Sequence, residues 1–563
     1  MKEPHILFIN MPTLPLSELI KGTTNRMIRC FPFGILYLSA VLKKQNYPGY
    51  IACVDYVIQD LERFAKDLDE LIISEAINAI SPFTPGILAF SFSTQYEFFC
   101  HCLTLLKKIW PNAKVVVGGI HATNAVEHLL KNHPVDYVIA GEAEESFPPL
   151  LYSILNRKNP DIKGVHSHNA IRYDLKGKPE IADPIEDIND IPFPDWSIIK
   201  MDSYTKQDVA GTQLFVDEID MVDSQDRHAF LITSRGCPFR CIFCASHTVH
   251  GRKIRLRNVK NVVEEMHQLN KLYGTNYFHI EDDLAFPTTK RALDLLKEMK
   301  NSGIENLKIS PTQTLSVNCT DEKIIDALIE YAGVRVVSFA VESAHPETQK
   351  KIQKNVNLNK AKHLIRYAQS KGLIVVINII FGFPQETKEQ MLESISYIKK
   401  YLKPNWTQFH IATPLIGTEM YSQFIEAGCI TDSPEFWNKI FNHRSFDSPW
   451  ITAEELNELK YRANLECNFV ENYDLKKGNY ETALFLFKAV VRLYPFHIFA
   501  WDGIRRAQRL LGNEKEAQAA EQKIRELVLN DSRSRELLEK YGDLFSEVVE
   551  ICEVSQNNHI ANS

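Results

Sequence analysis

Short apolar runs alternate with helical stretches along most of this chain, and the runs end in small or polar residues. No other feature constrains the fold so much, because strand–helix–strand order produces parallel sheets whose ligand sites lie at the strands' carboxyl ends. In the first block the runs are 6–9, 51–54, 86–92, 114–117 and 137–140. They end at Asn10-Met11-Pro12, Asp55, Ser91-Phe92-Ser93-Thr94, Gly118-Gly119 and Gly141-Glu142. Pro32-Phe33-Gly34 opens a helix through Lys44, with Ile35, Leu38 and Leu42 on one face. This predicts a doubly wound α/β domain over residues 1–156. Asn10, Gly34, Ser91, Ser93, Thr94, Gly118, Gly119, Gly141 and Glu142 are its candidate ligand-lining residues.

The second block begins at Phe230. Runs at 230–233, 277–280, 307–309, 334–341, 373–381 and 406–411 predict a partial parallel (β/α)6 barrel over 230–430. Val262, Val263, Met266 and Leu272 give 259–273 a helical face. Between the first run and that helix lies Ser-Arg-Gly-Cys-Pro-Phe-Arg-Cys-Ile-Phe-Cys, which gathers Cys237, Cys241 and Cys244 at the spacing C-x3-C-x2-C. Three thiolates leave one position open on a four-coordinate zinc or a four-iron cluster, and an open position is where chemistry occurs. His247 and His250 follow closely, so a closed Cys3His zinc site is the competing reading. Spacing does not separate the two.

Residues 157–229 read as a connector with a proline-punctuated stretch at 185–196 and an acidic, polar run at 207–227. After the barrel, 431–547 read as helical. Gly478-Asn479-Tyr480-Glu481-Thr482-Ala483 recurs in outline 34 residues later as Gly512-Asn513-Glu514-Lys515-Glu516-Ala517. With Phe487, Pro495 and Trp501, this resembles a tetratricopeptide hairpin. One and a half repeats are marginal alone, so packing on the barrel is expected, with protein docking as the alternative. The tail, 548–563, is expected to be disordered.

At 563 residues the chain exceeds one ordinary core. A formal net charge of −7 gives no electrostatic reason to expect nucleic acid. No apolar run reaches the length of a membrane span, the N-terminus lacks a signal-peptide pattern, and the 11 cysteines are too sparse for a disulfide scaffold. A reducing cytoplasm is the expected compartment.

The cysteine run, with Phe243 just before its last cysteine, closely resembles the cluster loop of radical S-adenosylmethionine (SAM) enzymes. The ordered strand ends of the first block, notably Val-Val-Val-Gly-Gly-Ile-His and Asp-Tyr-Val-Ile-Ala-Gly-Glu-Ala-Glu, resemble the cobalamin-binding domain that precedes many such cores. The resemblance spans residues 1 to about 430. It implies a 4Fe–4S cluster on Cys237, Cys241 and Cys244 and SAM on its fourth iron. SAM contacts implied are Phe243, Glu281 and Asp282 beside the methionyl amine, and Glu342 near the ribose. Cobalamin would occupy the strand ends of the first domain. Asp-x-His-x-x-Gly, whose histidine ligates cobalt in mutases, is absent, and Asp55-Tyr56-Val57 stands where it might have begun. Gln385 replaces a glycine in the family's Gly-x-Pro-Gly-Glu-Thr turn, and Ile416 replaces proline in its Pro-Gly-Thr turn.

The implied activity is reductive cleavage of SAM to a 5′-deoxyadenosyl radical, then cobalamin-dependent methylation of an unactivated carbon in a small molecule. A flavodoxin or ferredoxin would supply electrons. Radical oxidation, cyclisation or ring rearrangement without methyl transfer is the nearest alternative. RNA methylthiolation lacks its extra N-terminal cluster cysteines here, and a zinc-stabilised docking protein is the non-enzymatic alternative.

Overall fold

The computed structural model describes residues 4–12, 31–58, 61–206, 225–311, 314–437 and 444–560, excluding the side chains of 61, 62, 435 and 554–560. The first sheet contains β1 (His5–Asn10), β2 (Ile51–Asp55), β3 (Pro85–Ser91), β4 (Lys114–Gly118), β5 (Tyr137–Ile139) and β6 (Val165–Ser167). Their order is β2-β1-β3-β4-β5-β6, parallel except for the β5–β6 pair. All five expected strands are present. The sixth lies in the expected connector, where Val165 is buried against the sheet and the pairing is a short antiparallel register with Ile139. Because the chain order reverses about β1, the connections leaving β1 and β3 run to opposite faces of the sheet and leave a crevice at the switch point.

The barrel strands are β7 (His228–Leu231), β8 (Tyr277–Ile280), β9 (Lys308–Ser310), β10 (Val336–Glu342), β11 (Ile374–Phe381) and β12 (Trp406–Ile411). They form two three-stranded parallel sheets, β7-β8-β9 and β10-β11-β12. Leu315 stitches the sheets together: its N–H donates to Ser338 O (2.7 Å), and its carbonyl accepts from Ala340 N (3.0 Å). Alternation along β10 and β11 puts Val337, Phe339, Val341, Val375, Ile377 and Ile379 against the outer helices. Val336 and Val376 lie on the opposite face, in one apolar cluster with Trp406 and the C-terminal helices.

The free edge of β12 is closed by a side chain. Asn468 accepts from Thr407 N and donates to Thr407 O, both at 2.8 Å, so one amide replaces a missing strand. Beyond it the helices Tyr480–Leu493, Ile498–Leu510 and Glu514–Asn530 pack consecutively, as the repeat pattern implies. Gly503 permits close approach, since a Cβ there would lie 2.6 Å from the Phe487 ring. These helices bury Phe469, Leu486 and Phe487 with Val336, Val376 and Trp406, so they sit on the barrel.

Two expectations on order need comment. The tail is helical from Ser546 to Ile560, and Val548, Ile551 and Cys552 are buried. Those three residues, spaced i, i+3, i+4, make an apolar stripe that packs on the helical domain, which corrects the expectation of disorder for this stretch. Residues 561–563, most of the acidic run (207–224), and Thr312 and Gln313 lie outside the described residues.

Asn468→Ala leaves the Thr407 N–H and C=O without their partner. The expected cost is about 1–3 kcal/mol of unfolding free energy, read from urea titrations.

Candidate active site between the two sheets

The carboxyl ends of β1, β3 and β4 open into a cavity of about 480 Å³. Asn10, Gly34, Ser91, Ser93, Gly118, Gly119, Gly141 and Glu142 all line it. Thr94 does not; its N–H donates to the Gln95 side chain at 3.0 Å, closing a local turn. The far wall is Ile232, Arg235, Val249 and His250, from the segment that carries the cysteine loop. A Cβ on Gly34 would meet only Ser91 Oγ, at 3.5 Å, and one on Gly118 only Ile139 O, at 3.8 Å. Neither glycine is therefore required by tight internal packing at its Cβ. Gly119, with φ +94°, and Gly141, with φ +96°, are needed by the backbone itself. Asn10 Nδ2 donates to Asp55 Oδ1 (2.9 Å), and Tyr204 Oη donates to Asp55 Oδ2 (2.7 Å), fixing the floor of the switch point.

Glu142 is 4% exposed, and its carboxylate is consumed by protein groups. It accepts from Arg255 Nη1 and Nη2 (both 2.7 Å), His250 Nδ1 (2.8 Å) and Ile185 N (2.8 Å), with Arg235 Nη1 at 3.6 Å. Burial opposes its ionisation, but Arg255, His250 and Arg235 outweigh it and hold the carboxyl well below its usual range. Glu144 takes Arg235 Nη2 at 2.6 Å, and the Arg235 guanidinium lies 5.1 Å from the Tyr37 ring centroid. Glu142 is thus an interdomain clamp at the cavity's edge. The same pairing ties His250 Nδ1 into the interdomain clamp. Among the described residues no group of three or more His, Cys, Asp and Glu is disposed around a single metal ion.

The cysteine loop is held from several sides. Ile242 N donates to Ile352 O (3.2 Å), Met420 N to Ile242 O (2.9 Å) and Cys237 N to Gly251 O (3.4 Å). Burial raises all three thiols, Cys241 to about 11, so they need bound cations to persist as thiolates. Phe243 packs on Phe383, ring centroids 5.5 Å apart. Asp282 accepts from Thr233 N (2.6 Å), Thr233 Oγ1 (2.5 Å) and Ser234 Oγ (2.8 Å) and is 2% exposed. Burial pushes its carboxyl up to about 6. Its oxygens brace the strand leading into the loop. Asp283 accepts from Gly236 N (3.0 Å) and from Ser246 Oγ, tying both ends of the loop. Glu281 follows β8 directly, and its N–H donates to Leu231 O at 2.8 Å.

Glu342 ends β10 with φ +66°, a left-handed conformation at an irregularity in the β10–β11 register. Its carboxylate meets Lys354 Nζ at 3.4 Å. Gln385, in the position of the missing glycine, also has a left-handed φ of +61°, the conformation that glycine adopts without strain. Glu386 in the same turn accepts from Gly382 N (2.7 Å) and Phe383 N (3.2 Å). Gly417 packs against the Asn124 side chain of the first domain, where a Cβ would lie 2.0 Å from Asn124 Oδ1.

Residues 231–398 match the Radical SAM superfamily, and residues 24–151 match the B12 binding domain. The chain carries a B12 binding domain ahead of a radical SAM core. It is 29% identical over 429 residues to an uncharacterized methyltransferase of Pyrococcus horikoshii, covering 76% of this chain and 84% of that one. It is 27% identical over 484 residues to cytidylyl-2-hydroxyethylphosphonate methyltransferase of Streptomyces wedmorensis, covering 78% and 86%. Its fold resembles the cobalamin-dependent S-adenosylmethionine radical enzyme OxsB with aqua-cobalamin and S-adenosylmethionine bound. There the TM-score is 0.61 at 14% identity, covering 97% of this chain and 84% of that one.

This radical SAM enzyme's cofactors are a 4Fe–4S cluster, SAM and cobalamin, and its residues suit them. A four-iron cluster takes one thiolate per iron, so its sulfurs need not converge on one point as around zinc. The side-chain-free glycine edge suits a bulky ligand approaching backbone. Sequence reasoning missed Glu144, Arg235, Arg255 and Lys354. The paired acids of Gly-Glu-Ala-Glu and the arginine before Cys237 were the available signal, but ordinary charged residues carry no mark of their partners.

Glu142→Ala strands Arg255 in the interface and is expected to cost about 3–5 kcal/mol of stability, measured by chemical denaturation. Glu386, raised by burial from 4.5 to about 7 despite the Gly382 and Phe383 N–H groups, gives a pH test. Between those values the folded protein holds a proton that the unfolded chain has released, so this group's contribution falls as pH rises. Glu386→Gln should remove that decline from the urea midpoint measured across the same window.

Proposed function

We propose that this enzyme cleaves SAM to a 5′-deoxyadenosyl radical on a cluster held by Cys237, Cys241 and Cys244, and methylates an unactivated carbon of a small-molecule substrate. The observation that carries this reading is the cavity walled on one side by the first domain's strand ends and on the other by the cysteine-loop segment. Both relatives named as methyltransferases match more than three quarters of this chain.

When bound, the cluster supplies an electron to SAM and cobalamin supplies a methyl group. The chain's own residues position and shield. Gly34, Ser91, Gly118 and Gly119 form the edge against which cobalamin would seat. Phe243 and Phe383 offer an apolar wall beside the cluster loop, which excludes water from a radical. Glu342 lies at the barrel mouth for a hydroxyl or ammonium of SAM. The Glu142 clamp keeps the two walls at one spacing, so reacting groups meet without a further search. A one-electron reductant of the flavodoxin or ferredoxin type and a reducing compartment complete the scheme. Among the described residues no helix is long and apolar enough to cross a membrane.

Anaerobic reconstitution with iron, sulfide and hydroxocobalamin should yield bound corrinoid, a 4Fe–4S spectrum and 5′-deoxyadenosine on reduction with SAM. Cys241→Ala should reduce 5′-deoxyadenosine to background. Bound zinc without iron would overturn the reading, and iron without corrinoid would remove methyl transfer from it.

A further inference from the structure

A charged pair stands beside the cysteine loop, and the backbone is strained to keep it there. Lys354 is flanked by Gln353 (φ +54°) and Asn355 (φ +52°), both left-handed without being glycine. Glu342, its partner at 3.4 Å, is left-handed as well. Such conformations persist where surrounding contacts over-determine them. Here Gln349 does so: its Nε2 donates to Val341 O (2.6 Å) and Ser343 O (2.5 Å), and its Oε1 accepts from Val356 N (3.0 Å). Asn318 Nδ2 donates to Lys354 O at 3.3 Å, and Ile352 O accepts from Ile242 N within the cysteine run. The turn is therefore bonded to the end of β10 and to the loop at once.

Glu342 is buried and Lys354 largely shielded, their side chains 10% and 13% exposed. Ile352, two residues before Lys354, holds Ile242, the residue directly after Cys241, at 3.2 Å, so the pair is carried by the turn that lies against the cysteine run. A buried ion pair is a poor source of net stability, so its strained support points to another use. Cluster potentials depend on net charge, hydrogen bonding and solvent exposure, and fixed charges act strongly where water is scarce.

We infer that Lys354 and Glu342 set the reduction potential of the cluster on Cys237, Cys241 and Cys244, the ammonium favouring the reduced form and the carboxylate opposing it. This rests on the cluster reading above. In this role both act through the cluster, Glu342 in addition to its place beside SAM.

The test is an EPR-monitored potentiometric titration of the reconstituted full-length protein without SAM, with iron and sulfide content measured on every variant. Lys354→Met should move the midpoint to more negative potential, lowering the reduced-to-oxidised ratio at fixed poise about tenfold, which is about 59 mV for one electron. Glu342→Gln should move it by a similar amount to more positive potential. Lys354→Arg should restore the wild-type value, and the double variant should return toward it. Shifts of one sign in both single variants would indicate water entry and overturn the inference. So would unchanged midpoints with intact clusters, including the case where Lys354→Met weakens only SAM binding. If Lys354→Met loses its cluster, the sign of the Glu342→Gln shift decides. Wild-type protein that binds no iron would remove the cluster reading and this inference together.

Discussion

The buried Glu142 carboxylate is the interaction on which the arrangement of the two domains depends. Removing a carboxylate from water costs several kcal/mol unless charged partners offset it, and here the partners come from another domain. Arg255, His250 and Arg235 all belong to the barrel's first βα segment, and Arg235 lies two residues before Cys237. The clamp therefore acts on the cysteine loop itself. Separating the domains would leave both an acid and at least one guanidinium without compensation.

The loop's remaining supports follow the same logic at shorter range. Asp282 and Asp283 leave β8 together and grip the loop's lead-in strand and its two ends. Ile242 is held by backbone bonds to the segments after β10 and β12. A loop with three sulfurs cannot rely on internal hydrogen bonds to keep them in place, because so few residues separate them. Its geometry is borrowed from the segments that follow β8, β10 and β12. That explains why left-handed residues, Glu342 and Gln385 among them, cluster at the strand ends around it.

Much of this was legible in the sequence. Strand existence follows from apolar runs with polar ends, and each of the eleven expected strands corresponds to one in the structure within a residue or two. The glycines at the switch point were legible because backbone freedom is written in residue type. The acids were harder to read. Glu142 and Asp282 carry the same carboxylate as any ligand-binding residue, and a strand-end position suits both uses. What separates them is whether donors from elsewhere reach them first. Thr94 lies outside the cavity lining for a similar local reason, since Gln95 captures its N–H and closes a turn. The tail misled because Val548, Ile551 and Cys552 are too few to register against polar neighbours until a surface exists to receive them.

Residue order alone determined the parallel strands of both domains, the place of the cysteine loop between a strand and a helix, and the helical character of the C-terminal segment. These depend on periodicity, turn chemistry and spacing, all local along the chain. Tertiary structure decided which charges are ligands and which are braces, how Asn468 closes the barrel edge, and where Lys354 lies relative to the cysteines. Those outcomes join residues many positions apart, such as Glu142 and Arg255. They turn on desolvation, which arises only once the surrounding atoms have excluded water.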